Sequence, residues 1–290
     1  MVGYRTTDTW LPRLVPEGVA VEITCATRAG GERNEDLVLA GSDFAVVLDG
    51  ATPEPGVHHG CRHGVSWVVR GLGRGLATGL IERPDADLRV LLRDAITEVM
   101  AAHGGGCDLI NKRSPAATVG ILRRRGDTVE HLVLGDVAAA VQLADGEVHV
   151  STDRRIDGFP ERSWADLRHL RNRPGGFWVA SNSPDAAEHA YLGSWAAERV
   201  HRVCLATDGG YRLVDRYGWD WPKLLDCLAD EGLQSAVTRT RAAETVTPDG
   251  AYPGKRHDDA SLVLCVVNPT PPVWSVPADP RHPEVIPCLS

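Results

Sequence analysis

Phe44-Ala45-Val46-Val47-Leu48-Asp49-Gly50 decides how this chain is read: a short apolar run that ends on an aspartate and a glycine. Runs of this length and β-branched content predict buried strands. The pattern recurs. His131-Leu132-Val133-Leu134-Gly135 meets Asp136, and Val203-Cys204-Leu205-Ala206-Thr207 meets Asp208-Gly209. Asp258-Asp259 precedes an apolar run at 260–267, and Asn34-Glu35-Asp36 opens Leu37-Val38-Leu39-Ala40. One aspartate at a strand tip is ordinary. Several, with few basic residues beside them, predict carboxylates converging at one edge of a sheet. Asp258 lies before its strand, so an antiparallel course brings it to the same edge. Converged carboxylates repel unless they are protonated or share a cation. Oxygen-only sites of that kind select hard divalent ions such as Mg²⁺, Mn²⁺ or Ca²⁺.

Outward from these runs, strands are predicted at 19–27, 37–40, 44–48, 117–122, 129–134, 138–143, 147–151 and 177–180, in a run after Arg202, and at 261–267. Gly126-Asp127 and Asp145-Gly146 mark tight turns between neighbouring strands, which implies antiparallel hairpins. Val57, Cys61, Val65, Val68, Leu72, Leu76 and Leu80 fall at three- and four-residue steps and predict one amphipathic helix, its glycines permitting close packing on a sheet. Leu88, Leu91, Leu92, Ala95, Ile96 and Val99 predict a second. A polar helical segment is read near 160–171, and further helices at 221–229 and 233–245. Hairpin-rich strands with segregated helices argue for an α+β fold rather than a doubly wound parallel sheet. One domain, 18–268, is expected between an irregular arm at 1–17 and a tail at 269–290 that carries seven prolines.

Composition excludes several classes. With 290 residues, 43% hydrophobic and 24% charged, the chain reads as an ordinary soluble globular protein. No apolar run approaches the roughly 20 residues that span a bilayer, and the N-terminus lacks the apolar core of a signal peptide, so a cytoplasmic location is expected. A net charge of −8 argues against a nucleic-acid partner. None of the seven cysteines forms a Cys-x-x-Cys pair. Cys25, Cys204 and Cys265 lie in apolar runs and read as reduced core thiols, and neither a disulfide framework nor a zinc knuckle is expected. His58, His59 and His63 look like a zinc cluster, and His59 and His63 have helical spacing, but no glutamate of a His-Glu-x-x-His motif lies between them; the plain reading is a solvated helix face, with a place near the phosphate and then zinc as the alternatives.

The motifs Arg33-Asn34-Glu35-Asp36, Val47-Leu48-Asp49-Gly50, Ala117-Thr118-Val119, Leu134-Gly135-Asp136, Ala206-Thr207-Asp208-Gly209 and Asp258-Asp259-Ala260-Ser261 occur in the order seen in the type-2C, metal-dependent (PPM) protein phosphatases. Each is weak alone; six in order make a specific signal over about 30–268. The resemblance implies a four-layer α-β-β-α sandwich of two mainly antiparallel sheets flanked by helices. It implies a binuclear Mn²⁺/Mg²⁺ centre and hydrolysis of phosphoserine and phosphothreonine by a metal-bound water. Carried over by position, Asp49 resembles the carboxylate bridging both ions, with the Gly50 carbonyl on one of them and Asp208 and Asp258 on the other. Glu35 would serve the Gly50-side ion, Asp36 would stand behind the ligands, and Asp136 resembles an aspartate that some relatives use for a third ion.

The chain also departs from that pattern. Asp49-Gly50 is followed by Ala51-Thr52-Pro53 where relatives carry a general-acid histidine; His58 and His59 are the nearest replacements. The position four before Glu35, where relatives place a phosphate-binding arginine, is Gly31; Arg33 and Arg28 are the candidates to reach in. Arg212 stands where several relatives have an acidic residue, which argues against a third ion and makes Arg212 a candidate phosphate ligand. Asp-Gly is also a common turn dipeptide, the structural alternative for each aspartate singly. Three functions follow: a phosphatase of phosphorylated proteins, a catalytically weak relative that binds a phosphoprotein, and a phosphatase of a small metabolite.

Overall fold

Residues 44–51 show why the strands read as continuous apolar runs. Ala45 and Val47 point to one face and Val46 and Leu48 to the other, and both faces are buried. A computed structural model describes residues 21–51, 56, 58–159, 167, 169–252 and 254–267. Its strands are β1 (Val21–Arg28), β2 (Leu37–Ala40), β3 (Phe44–Ala51), β4 (Ala116–Arg125), β5 (Thr128–Leu134), β6 (Ala138–Leu143), β7 (Val148–Ser151), β8 (Tyr191–Ala196), β9 (Val200–Ala206) and β10 (Ala260–Val267). Its helices are α1 (Val65–Glu82), α2 (Leu88–Ala102), α3 (Arg212–Asp215), α4 (Trp221–Asp230) and α5 (Leu233–Val246).

The strands form two five-stranded sheets, ordered β2-β3-β4-β5-β8 and β1-β10-β9-β6-β7. Every neighbouring pair is antiparallel. Val47, Val133, Val141, Leu205 and Val263 fill the space between the sheets. On the outer face of the first sheet, Val46, Leu48, Val119 and Ile121 meet Leu72, Leu76, Leu92 and Ile96 of α1 and α2. On the outer face of the second, Cys204 and Leu262 meet Leu224, Leu228 and Val237 of α4 and α5. The molecule is thus an α-β-β-α sandwich, and each fully buried leucine in it is stabilised by about 1.5–3 kcal/mol.

Several local expectations change. The first helix begins at Val65, not near Val57. Cys61 therefore belongs to a loop, because Gly60 sits at φ +75 and Gly64 is extended, and neither continues a helix. Val57 lies outside the described residues. Only Gly73 of the α1 glycines faces the sheet at Leu37 and Leu39; Gly71, Gly75 and Gly79 let α2 approach, with Val99, Ala95 and Leu91 where side chains would stand. Residues 177–180 form isolated bridges, Ala117 to Ala180 and Arg171 to Phe177, and not a strand. β8 was not foreseen: it is an edge strand that stays half-buried or exposed along its length, so its sequence lacks an apolar face. Cys204 and Cys265 are buried, but Cys25 is exposed on the edge strand β1. The arm at 1–17, the tail at 269–290 and most of 160–171 lie outside the described residues.

Candidate metal centre

Strand register brings the acidic residues together. Leu37 pairs with Leu48, so Asp36, one residue before β2, lies beside Asp49 near the end of β3. Leu262 pairs with Ala206, so the residues just before β10 meet Thr207 and Asp208 just after β9. Ala138 pairs with the same Ala206, which carries Asp136 to Asp208 from the other side. Arg28 pairs with Ala260, so the loop 29–36 returns across Asp258 and Asp259. Two sheets, the ends of six strands and one edge are involved.

At this edge the carboxyls act on one another electrostatically. Burial pushes the Asp49 carboxyl well above the ordinary 3.8, and the charges of Asp36, Asp208, Asp136 and Asp258 push it further. Burial lifts Asp36 to about 7, with Asp259 and Asp208 adding to it. Burial and then the charge of Asp208 lift Asp136 to about 7. Asp208 is raised by burial and by Asp258, against the pull of Arg212. A carboxylate cluster of this kind either holds protons or holds cations.

Close packing fixes the backbone around it. A side chain at Gly50 would meet the Glu35 carbonyl oxygen at 2.6 Å and Val65 Cγ1 at 2.5 Å, so Glu35, Gly50 and the start of α1 touch. A side chain at Gly209 would collide with the Asp259 carbonyl oxygen, and one at Gly30 with the Asp258 backbone. Asp259 is 7% exposed and accepts from the Gly30 amide at 2.8 Å and the Glu35 amide at 2.7 Å. It therefore holds Glu35 beside Gly50.

The protein phosphatase 2C family model matches residues 26–240. The chain belongs to this family. Solved structures similar to it include the catalytic domain of the serine/threonine phosphatase PstP in complex with two manganese ions (TM-score 0.56, 16% identity, covering 86% of this chain and 99% of that one). Another is the PPM Ser-Thr phosphatase MsPP from Mycobacterium smegmatis in complex with cacodylate (0.51, 18%, 85% and 98%). A third is Stp1 from Staphylococcus aureus (0.54, 14%, 86% and 96%). At these identities the likeness is one of fold. No curated protein matches the sequence.

In this phosphatase-family chain the converging carboxylates offer oxygen donors alone, the chemistry that suits hard divalent cations. One observation fits a cation directly. Asp36 Oδ2 accepts from Thr207 Oγ1 at 3.0 Å; its buried Oδ1 has no well-formed hydrogen bond among the described residues, although the Ser261 hydroxyl lies near enough to act on the carboxyl. An unpartnered buried acceptor costs about 1–3 kcal/mol, which a bound ion or its hydration shell removes.

The candidate phosphate ligands are scattered. Arg212 is 1% exposed and donates to Glu244 Oε1 at 2.6 Å, Asp258 Oδ2 at 3.0 Å and the Arg256 carbonyl at 2.9 Å. This corrects its reading as a phosphate ligand: buried against protein acceptors, it holds Asp258. Arg28 is exposed at the end of β1. His58 and His59 lie on the loop before α1, and His59 Nδ1 accepts from the Cys61 amide at 3.4 Å. Arg33 does line a cleft of about 420 Å³ with Glu35, and Arg70 and Arg74 of α1 line it too. Those two arginines escaped sequence reading although their four-residue spacing, one helical turn, was the available signal. Glu244 was missed as well: at 1% exposure it joins Arg212 to Arg241 and His257.

Proposed function

We propose that the chain is a metal-dependent phosphoserine/phosphothreonine protein phosphatase with a binuclear Mn²⁺/Mg²⁺ centre. The observation that carries this is the convergence of Asp36, Asp49, Asp136, Asp208 and Asp258 at one edge, with Asp49 repelled by all four others. Asp49, Glu35, the Gly50 carbonyl, Asp208 and Asp258 are the groups that would hold the two ions. Asp136 flanks Asp208. When bound, such ions lower the pKa of water to supply a nucleophile and neutralise charge on the phosphoryl oxygens. The protein's share is positioning: Asp259 holds Glu35, and Arg212 and Lys255 Nζ (3.3 Å) hold Asp258. Arg33, Arg70 and Arg74 put positive charge on the cleft beside Glu35, where an anionic substrate would lie.

A second reading has its own observation. Arg212 and Lys255 already neutralise Asp258, and the general-acid histidine of relatives is not matched at 51–53. A weakly catalytic module that binds a phosphoprotein fits these two facts. Hydrolysis of an aryl phosphate, a phosphopeptide and small phosphate metabolites with Mn²⁺, Mg²⁺ or chelator, beside Asp208→Asn, decides between them. Metal-dependent turnover lost in Asp208→Asn supports the phosphatase, and the preferred substrate assigns its class. Phosphopeptide binding without turnover supports the module.

A further inference from the structure

The one group of three metal-ligating side chains within 4.8 Å of one another among the described residues contains none of the carboxylates. It consists of Cys61, His63 and Cys107. Cys61 is buried, His63 and Cys107 are half-buried. We propose that these three side chains hold one zinc ion that ties the loop before α1 to the loop after α2.

The distances carry the argument. Cys61 Sγ lies 3.7 Å and Cys107 Sγ 3.4 Å from the same atom, His63 Nδ1. A neutral imidazole nitrogen is either one donor or one acceptor. Two thiols therefore converge on a partner that fully serves one. Tetrahedral zinc, with Zn–S of about 2.3 Å and Zn–N of about 2.0 Å, separates its S and N ligands by roughly 3.6 Å. The observed separations bracket that edge. A single ion at the centre satisfies all three groups.

The surroundings are built to hold these atoms. The His63 amide donates to Cys61 Sγ at 3.3 Å, which offsets part of the burial that pushes the Cys61 thiol up. The His63 ring stacks on Trp67 at 4.1 Å, and His103 stands edge-on to both. His103 is in turn fixed by its Nδ1 at 2.7 Å from the Val99 carbonyl oxygen. The two loops are already joined where the Asp108 amide donates to the Gly60 carbonyl at 2.7 Å. Two sulfurs and one imidazole select a borderline-soft ion, not the oxygen-seeking ions that suit the carboxylate cluster. No further described side chain joins the three.

The consequence is mechanical. The loop before α1 leads from the Asp49-Gly50 end of β3 to Val65, whose methyl group abuts Gly50. A zinc crosslink at Cys61 and His63 fixes the stretch 58–64 that enters α1 beside Gly50. The proposal does not depend on the chain's catalytic activity.

The test uses the full chain, purified reduced and metal-free, titrated with Co²⁺ and then Zn²⁺. One equivalent of cobalt giving thiolate-to-cobalt charge-transfer bands, displaced by zinc, is the expected result; oxygen ligands give no such bands. With one equivalent of cobalt the bands should fall to half or less of the wild-type intensity in Cys107→Ser and in Cys61→Ser. Cys107 is the less buried, so Cys107→Ser decides if Cys61→Ser does not fold, with circular dichroism as the check. Bands of wild-type intensity in folded Cys107→Ser overturn the assignment, as does a reduced, folded wild-type chain with no bands. A chain isolated two hydrogens lighter that binds no cobalt after reduction also overturns it, in favour of a Cys61–Cys107 disulfide.

Discussion

Removing the Asp259 carboxylate should cost stability and metal affinity together. Its two oxygens accept from the Gly30 and Glu35 amides at 2.8 and 2.7 Å. Hydrogen bonds to a charged group contribute about 1.5–3 kcal/mol each, so Asp259→Ala forgoes about 3–6 kcal/mol. An opposing effect is visible: Asp259 is among the charges that raise the Asp36 carboxyl, and each pKa unit removed there returns about 1.4 kcal/mol. The expected net loss in chelator is about 2–4 kcal/mol. For a domain of this size that lowers the melting temperature by roughly 5–15 °C. Asp259→Asn keeps one acceptor and should lose about half as much. Calorimetric titration with Mn²⁺ should show weaker binding in both variants, because Glu35 is no longer tied beside Gly50. A melting temperature within about 1 °C of wild type, with unchanged Mn²⁺ affinity, would refute the reasoning.

Two further outcomes follow from the same geometry. In chelator, the folded chain keeps a proton on Asp36 up to about pH 7 that the unfolded chain releases near 3.8. Asp36 ionisation therefore lowers stability as pH rises through that window, by up to about 1.4 kcal/mol per pH unit. Asp36→Asn should gain on wild type between pH 4 and 7; taking the difference cancels His131, whose pKa of about 4 acts with the opposite sign. A flat difference would sink the idea, and Mn²⁺ should remove the wild type's penalty. Separately, Arg212→Met strips a guanidinium from Asp258 and from Glu244, both Arg212 and Glu244 being 1% exposed. Glu244 keeps Arg241 and His257, so the loss in urea unfolding should sit at the low end for a broken buried pair, about 3 kcal/mol. A loss below about 1 kcal/mol would contradict a buried structural role.

The strands and the order of the acidic motifs were legible in the sequence because both are local. A run such as 44–50 is buried on both faces, so its composition alone marks it, and its polar end stands out against that run. The two hairpin turns, at Gly126 and Gly146, are legible for the same reason: both glycines adopt positive φ. Tertiary structure decided the rest. β8 gains its place by pairing with β5, not by burying a face of its own, so nothing in its pattern announces it. Arg212 reads as a free cation until Glu244, 32 residues away, closes on it. Asp259 looks like the lesser half of an Asp-Asp pair until the returning loop places two amides on its oxygens. Cys61 fits an apolar helical stripe and His63 a helical spacing with His59, but Gly60 and Gly64 keep both in a loop, and the meeting with Cys107 depends on α1 and α2 packing side by side. Spacing along the chain encodes which face a residue takes within one element; which elements meet is settled by how their buried faces close against each other.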